Sequence, residues 1–184
     1  MQSKYDMVRL RTSALVATTL GVIAALAACG GSSSAGSEGI AHGSARNGPG
    51  KAAGEVCEPM VRDSVPATVG LPLAGEPASS VRGDTFSCLY AFDGGTLDLS
   101  VRDLHTISQA RRYFRDVRGR EGVGDALSGL AEGGFTKADG SVVAMKDAMI
   151  LTVDVTALPP TGSDRSGIAI DLASTVLGCW TGDS

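Results

Sequence analysis

Four cysteines carry most of the chemistry this sequence offers: Cys29, Cys57, Cys88 and Cys179. A cysteine sulfur can act as a nucleophile, a metal ligand or half of a disulfide, and its surroundings decide which. Cys29 ends the uncharged run from Thr12 to Ala28, directly after Leu26-Ala27-Ala28, and small residues leading into a cysteine read as a processing site. With Cys29 modified, the other three thiols allow one bridge and one left over. Closing the loop from Cys57 to Cys88 is worth about 3.7 kcal/mol, and the loop from Cys57 to Cys179 about 4.9 kcal/mol. Real disulfides scatter by more than that gap, so loop entropy does not choose between them.

The remaining reactive residues form no catalytic constellation. The chain has two histidines, His42 in a polar tail and His105, and His105 has no second histidine or cysteine at metal-ligand spacing. There is no G-x-S-x-G, no H-E-x-x-H and no phosphate loop; Gly122-Val123-Gly124-Asp125 lacks the Gly-Lys-Ser/Thr that would make it one. Asp93, Asp98, Asp103, Asp116, Asp125, Asp139, Asp147 and Asp154 include no pair that sequence marks as a dyad, and most fall in turns or on solvent faces. Nothing asks for a cofactor or a metal. Arg111, Arg112, Arg115 and Arg118 lie together on one helix, followed by Arg120. They could contact an anionic surface of lipid headgroups or cell-wall phosphate. They could equally be a solvated face whose last arginines complement the helix dipole.

Stepping along the chain, Lys4, Arg9 and Arg11 make a positive head before the apolar run, as in a secretory signal. The run is 17 residues and contains Thr12, Ser13, Thr18, Thr19 and Gly21, short of the roughly 20 apolar residues a spanning helix needs. Ala25-Leu26-Ala27 would serve ordinary secretion as an A-x-A site. The tetrad Leu26-Ala27-Ala28-Cys29 resembles the lipobox of bacterial lipoproteins, and a Gly/Ser tether follows it at once. That resemblance implies a signal peptide at 1–28, cleavage before Cys29 and a diacylglyceryl group, which carries fatty acyl chains such as palmitate, on its sulfur. Two chains at about 0.8 kcal/mol per buried CH₂ hold a protein firmly where one does not. The expected division is then a lipidated N-terminus and flexible tether at 29–54, spanning about 25 to 30 Å as a coil, and an α+β domain at 55–184. Loss of the leader removes three basic residues and one acidic, leaving 13 against 19 and a net charge of −6. So acidic a chain shows no footprint for nucleic acid.

Within the domain, Cys57, Met60, Val61, Ser64, Val65, Thr68 and Val69 share a helical face, which Pro66 is expected to split near Arg62, with Ser64 capping a second turn. Phe86 to Phe92, then Asp93-Gly94-Gly95, then Thr96 to Val101 is the clearest hairpin, with Cys88, Tyr90, Leu97, Leu99 and Val101 pointing inward. Thr106 caps a second helix to about Arg118 with Ile107, Ala110, Phe114 and Val117 along its stripe. A second hairpin, 141–146 and 149–156, turns at Asp147-Ala148, and a last helix begins at Ser163 or Asp164 and carries Ile168, Leu172, Val176 and Cys179. The order α-ββ-α-ββ-α predicts a four-stranded antiparallel sheet from two hairpins, covered on its apolar side by amphipathic helices.

Cys57 opening a helix that ends in Val69-Gly70, the strand Phe86-Ser87-Cys88-Leu89-Tyr90 and the run Gly122-Val123-Gly124-Asp125-Ala126 resemble the small actinobacterial lipoproteins of unknown function. The resemblance implies a disulfide between Cys57 and Cys88, with Cys179 outside it, and a place on the extracytoplasmic face of the cell membrane. It implies no activity. The expected role is a non-enzymatic binding module for an unidentified ligand or envelope protein. A structural or regulatory accessory of an envelope complex is the alternative, and a carboxylate-based hydrolase ranks last. A ligand carrier should hold an apolar cavity of several hundred Å³; an accessory should show a filled core and an exposed patch.

Overall fold

The structure, a computed structural model, describes residues 48–121, 123–160 and 164–180. The leader 1–28, Cys29 and the tether up to residue 47 lie outside the described residues. Alternation of apolar and polar side chains builds its centre. Strands β1 (Ala78–Arg82), β2 (Thr85–Phe92) and β3 (Gly95–Asp103) form an antiparallel meander in which Cys88 faces Leu99 and Tyr90 faces Leu97. Gly94 takes φ 85° in the β2–β3 turn, as the Asp-Gly-Gly link requires. Gly95 lies so close to Ala157 and Pro159 that a Cβ there would collide with both.

Four more strands complete the sheet: β4 (Val123–Leu127), β5 (Gly133–Lys137), β6 (Val142–Lys146) and β7 (Met149–Asp154). The spatial order is β1-β2-β3-β7-β6-β5-β4, every pair antiparallel. The fold is α+β, but the sheet has seven strands, not the expected four. The two expected hairpins are its middle, β2–β3 and β6–β7, joined through the β3–β7 pair. The strands beyond expectation are the edge β1, and β4 and β5, the Gly-rich stretch expected to be turn.

The helices divide between both faces of the sheet instead of sharing one. On the first face, α1 (Pro59–Val69), α3 (Arg165–Cys179) and a short 3-10 helix (Lys51–Cys57) bury Val56, Val61, Val65, Val69, Leu172 and Val176 against Tyr90, Leu97, Leu99, Val101, Leu151 and Val153. Ala53 is buried there too, so residues 51–54, expected in the tether, pack on the domain. α1 runs unbroken through Pro66 to an αL cap at Gly70. Its valines at 61, 65 and 69 offset the one hydrogen bond that proline removes. On the second face, α2 (Ile107–Arg120) crosses from the end of β3 towards the far edge and packs on β6 and β7.

Candidate functional site

α2 forms because Thr106 caps it and one narrow stripe is apolar. The Thr106 hydroxyl accepts from the backbone N–H of Gln109 at 3.3 Å. Ala110 and Val117 are buried against Phe135, Val143, Met145 and Ile150, with Tyr113 and Phe114 half-buried beside them. Phe114 meets Phe135 edge to face at 5.3 Å between centroids, and the Arg102 guanidinium lies 4.6 Å over the Tyr113 ring. Ile107, expected on this stripe, is instead 45% exposed, because the stripe starts a turn later at Ala110.

The outer face is cationic. Arg111, Arg112, Arg115 and Arg118 are all exposed, as is Arg120. Arg111 makes a long ion pair to Glu132 at 3.8 Å; the other four make none among the described residues. The four arginines named from sequence thus share one solvent face, but not one concavity. Ile107, Ser108, Arg111, Arg112 and Arg115 line an open notch of about 550 Å³, and Arg118 lies beyond it.

The turn that aims α2 was not singled out by sequence reasoning. Asp103, almost fully buried at the end of β3, accepts from the backbone N–H of Gly50 (2.9 Å) and of His105 (2.8 Å). His105 takes φ 60°, a left-handed conformation that redirects the chain from β3 into α2. Its ring nitrogens face different carboxylates, Nε2 to Asp84 at 3.3 Å and Nδ1 to Asp103 at 3.7 Å, so the three groups do not converge on one point. Among the described residues no cluster of three His, Cys, Asp or Glu side chains could hold a metal ion. An Asp-x-His ahead of a capping Thr was the available signal.

A second constellation also escaped the sequence. β3 and β7 place Asp98 directly opposite Asp154. Burial, and then the Asp154 charge, hold the Asp98 carboxyl above its ordinary pKa, and its Oδ1 is buried without a hydrogen bond. Asp154 is engaged differently, accepting from the Thr156 N–H (2.9 Å) and hydroxyl (2.6 Å).

No protein-family model, no curated protein and no solved structure matches this chain. Of the sulfurs, Cys57 and Cys88 form a disulfide with Cα atoms 5.5 Å apart, joining the end of the 3-10 helix to the middle of β2. Cys179, at the end of α3, takes no part in it and lies 3.2 Å from the Met60 sulfur. Beside the bridge, the buried Tyr90 hydroxyl donates to the Val56 carbonyl, and burial pushes its pKa well up. Lys146 closes the other end of the first face, donating to the carbonyls of Leu177 (3.0 Å) and Trp180.

Proposed function

We propose that this protein is an extracytoplasmic lipoprotein, akin to the small actinobacterial lipoproteins, held at the cell membrane by a diacylglyceryl group on Cys29 after loss of residues 1–28. Its domain is a non-enzymatic binding module that works through its surface and not through an internal cavity. The observation that carries this is the arginine face of α2, four of whose five guanidiniums have no ion pair among the described residues, on a chain of net negative charge. The continuous apolar core of the first face supports a surface mode, and the Cys57–Cys88 disulfide supports export to an oxidising compartment. A second reading, an accessory of an envelope complex, draws on Val81 and Leu89, which are 57% and 41% exposed on β1 and β2.

The test is metabolic labelling with radioactive palmitate in cells producing the wild type or Cys29→Ala, followed by fractionation. Label and membrane retention in the wild type, both lost in the variant, are expected. An unlabelled protein that begins elsewhere than Cys29 and is recovered from the medium overturns the tether.

A further inference from the structure

The chain outside the described residues joins the domain next to the start of α2. Gly50 is bound by the Asp103 carboxylate, and the same carboxylate fixes His105, two residues before Ile107. Asp103 and Ile107 are four residues apart and so lie within about 14 Å of each other, and Gly50 sits on the Asp103 side chain. That pole of the domain carries the notch of Ile107, Ser108, Arg111, Arg112 and Arg115. An anchor at Cys29 is at most about 65 Å of extended chain from Gly48, which keeps the domain next to the bilayer that holds the anchor.

We infer that the N-terminal half of α2 is a docking face for an anionic phospholipid bilayer. Arg111, Arg112 and Arg115 take the headgroup phosphates, and Ile107 enters the boundary between headgroups and acyl chains. This rests on the proposed tether, since an anchored domain meets this surface at high effective concentration. Guanidinium groups pair with phosphate oxygens through two parallel hydrogen bonds, and three spread over two turns face several headgroups at once. A soluble polyanion would be served by the arginines alone. The solvent-exposed isoleucine at the tether-proximal end of the cationic stripe matches a surface that is charged outside and apolar just beneath.

The full chain is reconstituted into vesicles of phosphatidylcholine, with or without phosphatidylglycerol, and its arginines are modified with phenylglyoxal and read by peptide mass spectrometry. Modification of Arg112 and Arg115 is expected to slow about fivefold or more with phosphatidylglycerol, to recover at high salt, and to leave Arg62 on α1 unchanged. Ile107→Asp, at an exposed position the fold tolerates, should abolish the protection. Equal modification in both vesicles overturns the inference. So does the same protection by glycerophosphate in solution over phosphatidylcholine vesicles, which would make the site one for free phosphate. Palmitate incorporation separates the two claims. Protection without palmitate on Cys29 supports the face and sinks the tether; palmitate without protection sinks the face and leaves the tether standing.

Discussion

On one side of β3, Leu97, Leu99 and Val101 are fully buried beneath α1, α3 and the 3-10 helix; on the other side of the same strand stand Asp98, Ser100 and Arg102. The first face is closed by a disulfide, a buried tyrosine hydrogen bond and a lysine on the last carbonyls of α3. The second is covered by α2 over β5, β6 and β7, carries two opposed carboxylates and leaves Leu89 in solvent. Opposed like charges in an antiparallel pair are destabilising. One face therefore supplies the stability that lets the other hold unfavourable and exposed groups in fixed positions.

That asymmetry can be broken at its strong side first. Replacing both Cys57 and Cys88 with Ala should lower unfolding free energy by about 2–5 kcal/mol in urea titrations. A loss below about 1 kcal/mol would mean that the first face does not lean on its staple. Tyr90→Phe leaves the Val56 carbonyl without its donor and should cost about 1–2 kcal/mol by the same measurement. On the second face the sign reverses. Asp98→Asn should raise stability by up to about 1 kcal/mol at neutral pH. Because the Asp98 pKa is raised on folding, the native state binds its proton more readily than the unfolded chain, so this carboxyl's penalty is present at neutral pH and fades as pH falls through the raised pKa. The gain from Asp98→Asn should shrink in thermal melts taken at successively lower pH, and a gain that is constant with pH would remove Asp98 as its source. Arg112→Ala with Arg115→Ala should change stability by no more than about 0.5 kcal/mol. A larger loss would make the arginines part of the scaffold.

What could be read from sequence follows the same division. Strict alternation exposed β2, β3 and β7, because their first-face residues are apolar and their turns are Asp-Gly-Gly and Asp-Ala. β1 reads Ala-Ser-Ser-Val-Arg and is exposed along its length, so burial leaves no alternation to find. β5 opens with Gly133-Gly134, the signature of a break; Gly134 is a strand residue that packs under Leu130. Pro66 suggested two helical pieces because the local rule was set above the valine face, which overrides it in the fold. The arginines were legible as a cluster, since helical spacing alone puts them side by side. The Asp98–Asp154 pair and the Asp103–Gly50 contact were not, because each joins residues more than fifty positions apart that only the sheet order brings together.

The position of the Cys57–Cys88 bridge also sets how this molecule bears mechanical load. Tension drawn through the N-terminus peels the chain only as far as Cys57; from there it passes across the sulfurs into the middle of β2, bypassing α1 and β1. The segment between the two cysteines, which stand 31 positions apart in sequence, stays out of the load path until the bond is reduced. A pull applied at the N-terminus would thus load the hydrogen-bonded centre of the sheet instead of unzipping it from an edge.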